Sequence, residues 1–320
     1  MKLPPAPIPG SVQASQPGLY VYPALDRFGL AHELMAWARG RAWADENGAR
    51  LIAPNWFRVR VGPYLRRERD KRAYFVSFDA GGAIAGTRRL ALLASANRIE
   101  AGRGWPLRPQ CTDRPTVVIF RTRVEGDETL LPQIHGHEAM LRSELLQMTR
   151  PRHWPMPAGR DSIAIHVRLG DFRAPPADLP EALIRNYRLP LDWFADRLGS
   201  LRAELGREVP AILFSDGGDD ELAALLACPG IRRAPRRAAV TDLLAIGQSG
   251  VVISSGSTFS LLGAFLGGAC RLCHPGRMMA PAYGDWREIE SGYGAAIPAA
   301  FVAAVERSIA GDAAPVRPGL

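Results

Sequence analysis

Lysine is almost missing from this chain: Lys2 and Lys71 are the only two in 320 residues. The formal charge of +8 is therefore carried by arginine. Such a bias usually follows the base composition of a gene; where it is functional, it suits an anionic partner such as a nucleotide, an acidic glycan or a nucleic acid. The pairs Arg66-Arg67, Arg88-Arg89, Arg232-Arg233 and Arg236-Arg237 have no interleaved aromatics and belong to no recognisable nucleic-acid module. Nucleic acid is therefore not expected as a partner. Long apolar runs are lacking too. None approaches the ~20 residues that a bilayer span needs, which excludes an integral membrane segment and leaves peripheral membrane association open. The proline-rich stretch 1–18 has no hydrophobic signal core, so it reads as a disordered leader of a cytoplasmic protein. Cysteine is scarce and irregularly spaced, at positions 111, 228, 270 and 273, and reduced thiols are the expectation.

Metal and haem chemistry find little support. Cys270-Arg-Leu-Cys-His274 matches the haem-attachment spacing, but that chemistry requires export, and the run reads equally well as a strand. His135-Gly-His-Glu138 has no third ligand at metal-site spacing. It reads as a solvated helix start, and no metal site is expected.

What is present is the composition of a globular protein, 47% hydrophobic and 22% charged. The first half opens with a strand at 18–23, a loop at 24–29, a helix over 31–47 stopped by Gly48, and a second strand at 49–54. Residues 58–113 give no clear pattern. A strand at 117–120 and a helix over 136–148 follow. Prolines 151, 155 and 157 with Gly159 mark a linker at 149–160. The second half alternates strands at 162–166, 211–215, 250–254 and 269–274 with helices over 190–205, 219–226, 239–247, 258–266 and 298–310. Strands separated by helices of this length imply right-handed βαβ units and a parallel sheet. The expected fold is α/β, two Rossmann-like domains facing a cleft: residues 19–150 form the first, 160–300 the second, and 301–320 a last helix and tail.

Three segments of the second half carry chemistry. The strand Ser162–Ile165 runs into His166-Val-Arg168-Leu-Gly170-Asp171, which puts a guanidinium and an imidazole at the carboxyl edge of a sheet, where ligands of open α/β sheets bind. A guanidinium presents a planar fork of donors that suits phosphate. The strand at Leu213-Phe214 ends in Ser215-Asp216-Gly217. The strand at 251–254 ends in Ser255-Gly-Ser257-Thr258-Phe259-Ser260 and then a helix, whose N-terminal amides and hydroxyls make a ready anion site. Each segment alone reads as caps and turns; the three together, in βα units, point to a phosphorylated ligand.

The ordered set His-x-Arg-x-Gly-Asp, Phe214-Ser-Asp, Asp242-Leu-Leu and Ser255-Gly-Ser-Thr-Phe-Ser resembles the alpha-1,2-fucosyltransferase family, within the superfamily of GDP-fucose-dependent fucosyltransferases. The family's last block has Asn where this chain has Gly256, and two tryptophans where it has Leu261 and Leu262. In the first half, Gly29-Leu-Ala-His-Glu and Gly40-Arg-Ala-Trp-Ala are similar to the family's Gly-Leu-Gly-Asn-Gln and Gly-Arg-Ala-Leu-Ala. Ala31 and His32 stand in place of a glycine and an asparagine. The resemblance implies a GT-B glycosyltransferase that moves fucose from GDP-fucose to a hydroxyl of an oligosaccharide or polysaccharide, inverting and metal-independent, with no cofactor beyond the donor. It places Arg168 on the diphosphate, His166 near ribose or phosphate, and Asp171 as an orienter of the loop. It sets Ser215 and Asp216 at the nucleoside, and Ser255, Ser257, Thr258 and Phe259 against phosphate and ribose, with Asp242 in the same donor-binding set. An acid or imidazole must take the acceptor proton from the opposite face; Asp26, just before the Gly29 turn, is the first candidate, then His32 and Glu33. Alternatives are the same fold with another nucleotide sugar, or a non-catalytic nucleotide- or glycan-binding protein.

Overall fold

The computed structural model describes residues 18–26, 28–57, 65, 72–102, 105–110, 113–122, 131–156, 159–170, 172–174, 176, 187–278 and 281–311. The sequence expectations for 1–17, for Asp171 and for the tail beyond Gly311 lie outside them. Among the described residues two sheets carry the fold, and every strand pair in both is parallel.

The first sheet is built from β1 (Leu19–Ala24), β2 (Arg50–Leu51), β3 (Asn97–Glu100) and β4 (Thr116–Arg121), in the order β2-β1-β4-β3. β1 and β4 are central and largely buried, as their apolar composition demands. β3, Asn-Arg-Ile-Glu, is exposed throughout, which suits a charged edge strand. Helix α1 (Leu30–Asn47) crosses from β1 to β2, and α2 (Gly86–Ser95) precedes β3. α1 ends at Gly48 in the left-handed conformation, the expected stop. Trp37 and Trp43 are buried, at 2% and 0% exposure.

The second sheet takes β5 (Ile163–Val167), β6 (Ala211–Ser215), β7 (Ile231–Arg233), β8 (Val251–Ser254), β9 (Cys270–Cys273) and β10 (Glu288–Glu290). Between the two sheets in sequence stands α3 (Glu138–Met148). The helices of the second half are α4 (Leu191–Leu205), α5 (Ala223–Leu226), α6 (Ala239–Ile246), α7 (Thr258–Gly267) and α8 (Ala299–Ala310). The strand order is β10-β9-β8-β5-β6-β7. The chain thus starts in the middle, winds outward through β6 and β7, returns to the other side of β5 and winds outward again. That is the doubly wound Rossmann order, and it leaves a switch point between β5 and β8. The central strands, Ile-Ala-Ile-His-Val and Val-Val-Ile-Ser, are buried on both faces, as parallel strands under helices must be.

Several sequence expectations need correction. The helix expected at 219–226 is confined to Ala223–Leu226, because Asp219 and Asp220 occupy the turn that precedes it. The strand expected at 49–54 has ladder pairing only at Arg50–Leu51. β3, β7, β10 and α2 were not anticipated. The stretch expected as a linker packs closely at its start: Phe78 and Thr149 form an antiparallel bridge, Thr149 is buried, and Pro151–His153 make a 3₁₀ turn.

Helix α7 joins the two halves. Its residues Ser260–Gly267 are all buried, and one apolar cluster holds Leu261, Leu262 and Phe265 together with Leu30, Leu34 and Trp37 of α1, Leu141 and Leu145 of α3, and Val240 and Leu243 of α6. The leucines that replace two tryptophans of the resembled family therefore fill this shared core. α6 lies almost backbone to backbone on α7, since a Cβ on Gly267 would fall 1.9 Å from the Gly247 carbonyl oxygen. No helix among the described residues is long and apolar enough to cross a membrane.

Candidate anion site at the strand edges

β8, β5 and β6 are neighbours in the second sheet, with β5 in the middle. The three strand-end segments of the sequence are therefore brought together at one carboxyl edge, around the switch point. His166 leaves β5 and is buried, at 6% exposure. Its Nδ1 shares hydrogen bonds with the hydroxyls of Ser255 at 3.1 Å and Ser257 at 3.3 Å, both from the turn after β8. Its ring stacks on Phe259, with centroids 5.4 Å apart. Burial pushes its pKa down to about 4, against the pull of Asp216 and with the help of Arg168. At neutral pH His166 is an uncharged imidazole that ties two strand ends together.

Arg168 supplies the charge. Its Nη1 lies 2.9 Å from Oδ2 of Asp216, and its side chain keeps 31% of its exposure. Asp216 also accepts the Leu169 backbone N–H at 2.8 Å and a backbone hydrogen bond from Gly170. Burial works to raise the Asp216 pKa; the adjacent guanidinium and the two amides overcome it and bring the pKa below the usual carboxylate value. A carboxylate so placed fixes the Arg168 fork by one of its five N–H donors. This explains Gly170: a Cβ there would stand 2.7 Å from Asp216 Oδ2. Glycine is needed because a carboxylate occupies the space.

The third segment closes the site. Ser257 caps α7 by accepting the Ser260 N–H at 3.3 Å, and Ser254 accepts the Gly256 N–H at 3.0 Å. Gly256 has φ of +77°, and a Cβ on it would lie 2.7 Å from both the Cβ and the carbonyl oxygen of Arg277. An asparagine here, as in the resembled family, would strike Arg277. The first turn of α7 carries Thr258 and Phe259, both half-buried.

Other expected residues take quieter positions. Ser215 accepts the Gly217 N–H at 3.0 Å, the work of a turn residue. Asp242 stands in the first turn of α6, inside the helix expected at 239–247; the neighbouring Thr241 hydroxyl donates to the His153 carbonyl at 2.7 Å. Cys270 and Cys273 lie buried in β9, as the strand reading requires.

The first sheet offers a second edge. Its order also reverses, between β1 and β4, and Asp26 sits there with its backbone N–H donated to the Thr122 hydroxyl at 3.2 Å. Gly29, not Asp26, is the N-cap of α1. Arg121, paired with Glu100 at 2.7 Å, also feels the Asp26 charge. His32 lies beside Phe28, with ring centroids 5.9 Å apart, and the partial burial of its imidazole lowers its pKa. Glu33 is buried in the first turn of α1. Among the described residues no group of three or more His, Cys, Asp or Glu could hold a metal ion.

Residues that carry no motif also reach this site. Phe172 lies beside Arg168, and Arg188 donates through Nε to the carbonyls of Leu169 at 2.9 Å and Phe172 at 2.8 Å. Nothing in their spacing singles them out.

No protein-family model matches the chain, and no curated protein matches it in sequence. Among solved structures it is similar to the alpha-1,6-fucosyltransferase NodZ from Bradyrhizobium soaked with GDP-fucose, at 17% identity and a TM-score of 0.43, covering 78% of this chain and 92% of that one. It is similar to an Arabidopsis thaliana FUT1 mutant in complex with GDP, at 11% identity and a TM-score of 0.44, covering 83% and 71%. It is also similar to the E. coli heptosyltransferase WaaC with ADP-2-deoxy-2-fluoro heptose, at 12% identity and a TM-score of 0.43, covering 92% and 100%.

Proposed function

We propose that this chain transfers fucose from GDP-fucose to a hydroxyl of an oligosaccharide or polysaccharide, with inversion and without a metal ion, as an alpha-1,2-fucosyltransferase-like enzyme. The observation that carries this reading is the meeting of His166, Arg168, Asp216, Ser255 and Ser257 at the switch point of a doubly wound sheet, in the order and spacing of the resembled family. Residues 160–300 would bind the nucleotide sugar and residues 19–150 the acceptor.

In the reaction the bond from the anomeric carbon to the diphosphate oxygen breaks as the acceptor hydroxyl attacks from the opposite face. Negative charge grows on the departing GDP. Arg168, held by Asp216, and the N-terminal amides of α7 would meet that charge; removing such a clamp costs ~10²–10³ in rate. Asp26, at the edge of the first sheet, would take the hydroxyl proton.

A thermal-shift titration against GDP, UDP, ADP, GDP-fucose and GDP-mannose tests this. A ligand at ~100 times its dissociation constant adds ~2.7 kcal/mol of stability. Selective stabilisation by GDP and GDP-fucose, lost in Arg168→Ala while the variant stays folded with a slightly lower unliganded melting point, is the expected result. Stabilisation by UDP or ADP alone would reassign the donor, and no shift with any nucleotide would remove the enzyme reading.

A further inference from the structure

Arg277 belongs to no motif and is 2% exposed. It follows β9, and its backbone and Cβ fill the space above Gly256, directly before the N-cap of α7. From that fixed base the side chain runs to the segment after the Arg168 turn. There its Nη2 donates to the Tyr187 carbonyl, and its Cζ lies 5.6 Å from the centre of the Phe172 ring. The Cζ of Arg168 lies 6.0 Å from the same centre. One aromatic ring is thus shared by two guanidinium groups, one at the candidate site and one anchored after β9, two strands away in the sheet.

The backbone that carries the shared ring is braced as well. Arg173 and Tyr187 form a parallel bridge, and the Arg188 N–H donates to the Arg173 carbonyl at 2.8 Å. Arg188 further holds the Leu169 and Phe172 carbonyls and pairs with Glu221 at 3.0 Å. Arg277 is the link from this brace to the α7 turn.

We infer that Arg277 is a positioning residue of the anion site: it fixes Phe172 and Tyr187 so that the Phe172 ring carries the Arg168 guanidinium in its ligand-ready place. A ring face attracts a guanidinium by its quadrupole and accepts it flat. Ordering a long, flexible side chain before the ligand arrives lowers the entropy lost on binding. Lysine cannot replace this arginine, because a point charge on a flexible stem neither stacks on the ring nor donates as a planar fork. The inference rests on the nucleotide reading above and adds to it a residue that acts through an aromatic.

The test is a calorimetric titration of GDP into the full chain and into Arg277→Lys, Phe172→Leu and the double variant. Each single change should weaken GDP binding about tenfold, equivalent to ~1.4 kcal/mol. The double variant should be no weaker than the worse single one, because both changes act on Arg168 through one ring. A purely structural role would instead lower the unliganded melting point and leave the affinity of the folded protein unchanged, which would overturn the inference. Losses that multiply to about a hundredfold would overturn it as well, since the two residues would then act independently. Wild-type protein that binds no GDP would overturn the nucleotide reading and this inference together; wild-type binding with unaltered variants would overturn this inference alone.

Discussion

Replacing Gly170 by alanine adds one methyl group at the anion site, and its cost can be worked from the contacts. Gly170 does not have a positive φ, so the backbone accepts alanine without strain. The whole penalty falls on Asp216, whose Oδ2 would be 2.7 Å from the new carbon. The carboxylate must retreat by several tenths of an ångström. It then loosens the 2.9 Å contact to Arg168, the 2.8 Å bond from the Leu169 N–H and the bond from Gly170. Hydrogen bonds to charged groups contribute about 1.5–3 kcal/mol each, and a partly exposed ion pair ~0.5–1 kcal/mol. Partial loss of the set should cost about 2–3 kcal/mol, read by chemical denaturation. At ~2 cal/mol/K of unfolding entropy per residue, each kcal/mol moves the melting point of a chain this long by roughly 1.5 °C, so a fall of ~3–5 °C is expected in a thermal melt. GDP affinity should fall with it, because Arg168 loses its anchor. The decisive measurement is the cycle with Asp216→Ala: in that background Gly170→Ala should cost almost nothing, since the atom it strikes is gone. Equal penalties in the two backgrounds would refute the account.

Three more expectations concern protons and metals. His166 titrates near 4 in the folded chain and near 6.5 when unfolded, so stability is full above ~6.5 and is lost as pH falls towards 4; Asp216, also lowered, acts in the same direction. The His166 part is ~3 kcal/mol at most, and His166→Gln should flatten the stability profile between pH 6.5 and 4.5, whereas an unchanged slope would contradict a neutral buried imidazole. Asp26→Asn should lower kcat by ~10²–10⁴ with little change in GDP affinity, as loss of a general base does; full activity in that variant would move the base elsewhere. Donor turnover should survive EDTA, and a strict need for Mg²⁺ or Mn²⁺ would contradict a charge clamp built from Arg168.

The parallel α/β class, most of the helices and the three strand-end segments were legible in the sequence. Each signal is local: Ile163–Val167 and Val251–Ser254 are β-branched and apolar enough to be buried strands, and Gly48 stops a helix by its own backbone freedom. The short elements were not legible, because three residues such as Ile-Arg-Arg in β7 or Glu-Ile-Glu in β10 show no period. They are strands only because a neighbour offers a ladder. Ser257, read as either cap or ligand, does cap α7, and its hydroxyl also reaches His166.

The sequence by itself determined which residue types stand at the ends of β5, β6 and β8, since strand and turn propensities act over a few neighbours. Only the tertiary structure decided that these strands lie side by side with β5 in the centre, and that Asp216 faces Arg168 rather than solvent. It alone brought Arg168 and Arg277, 109 positions apart in the chain, to the same Phe172 ring. The reason is physical: side-chain contacts between distant segments depend on strand order, and strand order is set by burying α7 and the sheet faces as a whole, not by any local run of residues.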